Sequence, residues 1–126
     1  MSPVLDASAV LAYLHQEPGW DAVRKVIGEA SIGAVNWSEV AQKSIQQNLN
    51  PGTARTLLEE VGLTVVPFSA SQAELAAQLW ASTHTLGLSL ADRACLALAV
   101  ERSAPVLTAD RRWAELGLSV NIQLLR

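Results

Sequence analysis

A single cysteine, Cys95, stands in a chain of 126 residues. No intramolecular disulfide is possible, which fits a reducing compartment such as the cytoplasm. Histidine is nearly as scarce. His15 and His84 have no ligand spacing to each other or to Cys95, and they read as surface or boundary residues. Neither stands at a recognisable spacing from Ser8 or Ser38, which argues against a Ser-His-Asp hydrolase. No GxGxxG or GxxxxGK segment occurs, so no glycine-rich loop is present to cradle a phosphate. Long apolar runs are missing too. The most apolar segment, residues 86–100, contains Asp92 and Arg93 and is too short and too charged to span a bilayer. The opening MSPVLD has no basic region followed by a long apolar stretch, so no signal peptide is expected. Internal repeats, low-complexity tracts and linkers are also missing.

What the chain has in quantity is apolar surface. Half of its residues are hydrophobic and 17% are charged, a composition that builds a core and lacks any signature of disorder. The length suits one domain over residues 1–126 and is too short for two. The apolar surplus suggests that a partner or a second copy covers some of the surface. Net charge is −3, from 9 basic and 12 acidic residues. Setting aside four acids that could bind metal leaves 9 against 8, a remainder of +1. The acidic balance therefore does not exclude a polyanionic substrate.

Short apolar runs alternate with helix-like segments. Val4-Leu5 reads as a strand, with Ser8 capping a helix to about Gln16. Pro18 suits a first helical position, opening a helix to about Glu29. A strand is expected over residues 32–35, then a helix capped by Asn36 and running to about Asn48. Asn50-Pro51 opens another helix, closed by Gly62. Residues 63–68 read as strand and residues 71–86 as one long helix stopped by Gly87. Residues 89–102 are apolar all round and should form a central, nearly buried helix. Val106-Leu107 is a strand, Asp110 to Leu116 a short helix, and residues 119–124 a last strand. This alternation implies an α/β protein with a mostly parallel sheet covered on both faces.

Four acids stand where a short apolar run meets a helix: Asp6 in VLDAS, Glu39 in NWSEV, Asp92 in LSLADRA and Asp110 in VLTADRRW. Open parallel sheets bind ligands at the carboxyl ends of their strands. Four carboxylates gathered there would repel one another, and a hard cation with oxygen ligands relieves that repulsion. Each acid also has a local structural reading. Asn36 and Glu39 have the spacing of a capping box, as do Ser89 and Asp92. A carboxylate inside LGLSLADRACLALAV is expensive to bury unless paired or metal-bound, and Arg93 points elsewhere on the helix. Ser8 beside Asp6 and Thr108 beside Asp110 offer hydroxyls that orient a carboxylate or a bound water. Arg111 and Arg112 are candidates for phosphate contacts, or a solvated pair. Trp20, Trp37, Trp80 and Trp113 are base-stacking candidates or core and interface anchors. Cys95, among alanines and leucines, reads as core.

These blocks, in this order, resemble the PIN-domain ribonucleases, and specifically the small VapC-type toxins of toxin–antitoxin systems. VLDASAVLAYLHQEPG is similar to the family's opening, NWSEVAQK to its second block, and GLSLADRACLALAVERSAPVLTADRRWAELGL to its third and fourth. The resemblance covers essentially the whole chain. It implies a three-layer αβα sandwich and metal-assisted hydrolysis of RNA. On that basis Asp6, Asp92 and Asp110 would hold Mg²⁺ or Mn²⁺, with Glu39 helping directly or through water, and attack by water would leave a 5′ phosphate. It also implies a homodimer and an antitoxin protein that covers the acidic site, with residues 18–48 and 50–62 as the first surfaces to inspect. Some members have a further acid soon after the position of Asp110. Here Arg111, Arg112 and Trp113 follow, and Glu115 is the nearest candidate. Other magnesium phosphohydrolases fit less well. Asp6-Ala7-Ser8 is not a DxD, and no Asp lies between Asp21 and Asp92 to accept a phosphoryl group. A PIN-like module that binds without cutting is the alternative from a different class.

Overall fold

The computed structural model describes residues 2–126. Strands β1 (Val4–Leu5), β2 (Ser31–Gly33), β3 (Thr64–Val66), β4 (Val106–Thr108) and β5 (Ile122–Leu124) form one sheet in the order β3-β2-β1-β4-β5. Every adjacent pair in it is parallel. Successive residues of a strand face opposite sides, and both sides are covered. Val4, Val66 and Val106 point into one core, with Cys95 to Ala99 and Trp113. Leu5, Ile32 and Leu107 point into the other, with Val10, Val23, Val40 and Leu58. The helices that supply these residues are α1 (Ala7–His15), α2 (Trp20–Arg24), α3 (Ala34–Gln46) and α4 (Pro51–Glu60) on one face, and α5 (Ala70–Gln78) and α7 (Leu90–Arg102) on the other. The expected three-layer αβα arrangement is present. The chain runs outward from β1 to β3, then returns to β4 beside β1. The order therefore reverses between β1 and β4, and the crevice at that switch point is where such sheets take ligands.

Several helix boundaries differ from those expected, each for a local reason. Asp6, not Ser8, caps α1, because its carboxylate reaches the Ala9 N–H at 2.9 Å. The segment expected to start at Pro18 starts at Trp20, after Gly19 in a left-handed conformation (φ 93°). A side chain at Gly19 would collide with the Leu125 backbone, so the close approach of the C-terminus sets this turn. After α2 only a short 3₁₀ turn, Ile27–Glu29, remains of the expected helix. β2 ends at Gly33 and α3 begins at Ala34, so Asn36 lies inside that helix and does not cap it. The expected long helix over 71–86 is broken into α5, α6 (Trp80–Thr83) and a 3₁₀ turn, His84–Leu86. Ser82 and Thr83 both donate their hydroxyls to the Leu79 carbonyl, competing with the helical ladder at the break. A 3₁₀ turn, Arg111–Glu115, replaces the short α-helix expected after Asp110. Asn50-Pro51 opens α4 and Ser89 opens α7 as expected.

Candidate functional site

Asp6 leaves β1 beside the switch point and is 4% exposed. Its Oδ1 accepts from the Ala9 N–H and from the Ser8 hydroxyl at 2.7 Å, and its Oδ2 accepts from the Thr108 hydroxyl at 2.6 Å. The hydroxyls continue the network. Ser8 Oγ accepts from the Ala109 N–H at 2.9 Å, and Thr108 Oγ1 from the Asp110 N–H at 3.0 Å. Thr108 thus serves Asp6 through its proton and the Asp110 backbone through its lone pair. Burial is the main force on the Asp6 carboxyl and raises its pKa. The three hydrogen bonds oppose that shift, and nearby Asp92 adds to it.

Asp92 sits in the first turn of α7, where the capping box with Ser89 is present in full. Asp92 Oδ2 accepts from the Ser89 N–H at 2.9 Å while Ser89 Oγ accepts from the Asp92 N–H at 3.2 Å. Its side chain is 20% exposed, so the position is less buried than the apolar surroundings in sequence suggest. Glu39 projects from the exposed side of α3. Partial desolvation raises its pKa, and Asp92 and Asp6 push in the same direction. Asp110 caps the final 3₁₀ turn and pairs with Arg112. That side-chain hydrogen bond holds the Asp110 carboxyl below its ordinary range. The buried Trp113 indole N–H has no hydrogen-bond partner.

Asp6, Glu39, Asp92 and Asp110 line one open cavity of about 230 Å³, together with Ser8, Asn36 and Lys43. Four stretches far apart in the chain meet there. Among the described residues, no three acids converge tightly enough as they stand to share an ion. The donor set is nevertheless all hard oxygen, and Asp6 Oδ2, with one hydrogen bond, keeps a lone pair free. A cation already sits among these acids. Arg112 Nη2 is 2.6 Å from Asp110 and 3.8 Å from Asp92. Glu115 does not line the cavity.

Two polar lining residues escaped the sequence reading as part of the site. Asn36 is 1% exposed. Its amide oxygen accepts from the Ala7 N–H at 3.3 Å and its amide nitrogen donates to the Ala91 carbonyl at 3.0 Å. It therefore ties the start of α1, the body of α3 and the start of α7. Lys43 lies one turn beyond Glu39. The signal for both was the stripe Asn36, Glu39, Lys43 at helical spacing. Cys95 is buried as expected, with its thiol pushed well up by burial, then by Asp6, Asp92 and Glu39. Trp113 is a core residue, while Trp80 is exposed and stacks on His84 with ring centroids 4.1 Å apart.

A second cavity, about 540 Å³, runs between α1, α3 and α4 and is lined mainly by apolar side chains. Leu49, Leu57 and Val61 on it are exposed. Leu11 and Lys43 line both cavities, so groove and acidic pocket adjoin.

The sequence matches the PIN domain family model over residues 4–118. This chain belongs to the PIN-domain family. No curated protein matches this PIN domain in sequence. Solved structures similar to it include a toxin–antitoxin complex from Klebsiella pneumoniae, with TM-score 0.79, 16% identity and coverage of 99% of this chain and 98% of that one. DNA-bound VapBC from Salmonella typhimurium aligns with TM-score 0.72 at 16% identity over the whole of both chains. VapC20 from Mycobacterium tuberculosis, a sarcin-ricin loop cleaving toxin, aligns with TM-score 0.71 at 13% identity, covering 95% of this chain and 99% of that one. These likenesses establish the shared fold. No helix among the described residues of the PIN domain is long and apolar enough to cross a membrane.

Proposed function

We propose that this PIN domain is a divalent-metal-dependent endoribonuclease that acts as the toxin of a toxin–antitoxin pair. The observation that carries the reading is the meeting of four carboxylates, from β1, α3, α7 and the end of β4, at one cavity on the carboxyl edge of a parallel sheet. Asp6, Asp92 and Asp110 would hold Mg²⁺ or Mn²⁺, with Glu39 as a fourth donor, directly or through water. Such an ion supplies charge neutralisation at the scissile phosphate and a more acidic bound water. The chain's own residues do the rest. Ser8 and Thr108 fix the Asp6 carboxylate through its two oxygens. Asn36 holds α1 and α7 in register, so that Asp6 and Asp92 face the same space. Arg111 is exposed and free to meet a phosphate, whereas Arg112 must first leave Asp110. Among the structural relatives, a toxin that cleaves the sarcin-ricin loop supports RNA as the substrate class.

Toxin–antitoxin complexes among the same relatives support an antitoxin partner. The apolar groove suits an amphipathic segment of such a protein. Because the groove adjoins the acidic pocket, a segment lying in it reaches the acids, and a basic side chain from it would replace the metal's charge. A homodimer is supported by the exposed Trp80, Leu90 and Val100 outside that groove. The cytoplasm is the compartment that holds such a substrate and keeps Cys95 reduced.

The test is cleavage of RNA by the purified chain with Mg²⁺ or Mn²⁺, with EDTA as control, and mapping of new 5′ ends in cells after brief induction. Asp6→Asn and Asp92→Asn are each expected to lower cleavage by at least about 10²-fold with the fold retained. Full activity in either variant, or cutting that persists in EDTA, would sink the proposal. Metal-independent RNA binding with no cutting would instead identify a binding module.

A further inference from the structure

We propose that Arg112 is a built-in counter-cation that occupies the Asp92–Asp110 side of the acidic pocket, and that a divalent ion entering the pocket must displace it. The inference rests on the metal-site reading above, because it concerns what the ion competes with.

The guanidinium is held on three sides. Its Nε is 3.0 Å from Asp110 Oδ1 and its Nη2 is 2.6 Å from Asp110 Oδ2, a two-point fork on one carboxylate. The same Nη2 lies 3.8 Å from Asp92 Oδ2, so one group bridges two acids that the chain separates by seventeen intervening residues. Its Nη1 donates to the carbonyls of Leu86 at 3.1 Å and Gly87 at 3.2 Å. That last contact depends on the backbone. Gly87 has φ 73°, and a Cβ there would stand 3.3 Å from Nη1. The turn that ends the segment before α7 is thus shaped to seat a guanidinium, with two carbonyl oxygens aimed at it and no side chain in the way.

Competition follows from the atoms in use. Asp110 Oδ2 accepts both Nη2 and a second, longer contact from Nε at 3.2 Å, and its Oδ1 accepts from the Arg112 backbone N–H as well as from Nε. Few lone pairs on Asp110 remain for a metal. Asp92 has one oxygen tied to Ser89 and facing Arg112, so one positive charge already offsets part of the negative charge on this side of the pocket. Asp6 and Glu39 form no ion pair among the described residues. The pocket is therefore asymmetric: an arginine serves one side and the other awaits charge. Arg111, the adjacent cation, makes no hydrogen bond or ion pair to these acids among the described residues, which makes it the natural control.

The test uses the purified chain without RNA. Mn²⁺ affinity is measured by calorimetry for the wild type, Arg112→Ala, Arg112→Gln, Arg111→Ala and Asp6→Asn. The ¹⁵Nε signal of Arg112 is followed by NMR during a Mg²⁺ titration. Both Arg112 variants are expected to bind Mn²⁺ roughly fivefold more tightly, the size of a well-formed exposed ion pair. Arg111→Ala should change affinity by less than about twofold, since charge removed without a bond is screened. The Arg112 Nε signal should shift and saturate with the metal. Binding that Asp6→Asn abolishes, but that neither Arg112 variant tightens, overturns the displacement while leaving the metal site standing. An Nε signal unmoved at saturating Mg²⁺ does the same, as does an Arg111→Ala effect equal to that of Arg112→Ala. Binding seen only in the Arg112 variants supports the displacement. No binding in any of the chains overturns both readings together.

Discussion

The most constrained side chain is Asp6, a carboxylate nearly sealed from solvent and fixed by two hydroxyls and a backbone N–H. Its pKa and that of Glu39 are raised, so between the ordinary and the raised values the native state binds more protons than the unfolded chain. These two groups therefore make metal-free stability fall as pH rises through that interval. Asp110 acts in the opposite sense. Its depressed pKa contributes stability that is complete above the ordinary carboxylate value and is lost as pH falls through the depressed one. Melting curves in EDTA across the acid range should show both arms. Asp6→Asn should flatten the fall toward neutral pH and raise the neutral melting point by a few degrees, about 1 kcal/mol of relief from a buried charge. A melting point in Asp6→Asn well below wild type at neutral pH would mean that the hydrogen bonds outweigh the buried charge.

Among the elements, α3 shows how much a single buried amide does. The spacing of Asn36 and Glu39 is that of a capping box, as is the spacing of Ser89 and Asp92, yet only the second pair forms one. Asn36 is drawn inward by the Ala7 N–H and the Ala91 carbonyl, groups 29 and 55 residues away. No local pattern encodes that choice. Asn36→Ala is expected to cost about 1–3 kcal/mol, because two buried polar groups lose their partner. On the metal-site proposal it should also weaken divalent-ion binding, since Asp6 caps α1 and Asp92 lies in α7. Denaturant titration together with metal calorimetry checks both, and unchanged stability would show that water replaces the amide. The break after α5 has a similar lesson. Leucine spacing predicts one helix over 71–86, but two hydroxyls on the Leu79 carbonyl divide it.

At the scale of the molecule, the groove between α1, α3 and α4 is an extended apolar feature left uncovered. Leu57 and Val61 are 58% and 45% exposed, so Leu57→Asp or Val61→Asp should change stability by no more than about 0.5 kcal/mol. On the proposed toxin–antitoxin reading, co-expression with the antitoxin should then yield the variant alone, with its proposed RNA cleavage unrestrained. Co-purification at wild-type yield would move the partner's seat elsewhere. The sequence by itself determined the layered α/β architecture, because apolar strands alternating with helices can be buried only in a sheet covered on both faces. It also marked Asp6 and Asp110, which stand where a strand ends, and Glu39 and Asp92, whose sequence setting suggests such a boundary but which lie inside α3 and α7. Only the tertiary structure decided that the four share a cavity, that Thr108 serves Asp6, that Asn36 is a tie, and that Arg112 already pairs with Asp110 and approaches Asp92. Those relations join residues distant in the chain through strand order and side-chain direction. Periodicity and capping rules see only a few neighbouring residues and carry no information about which strand lies beside which.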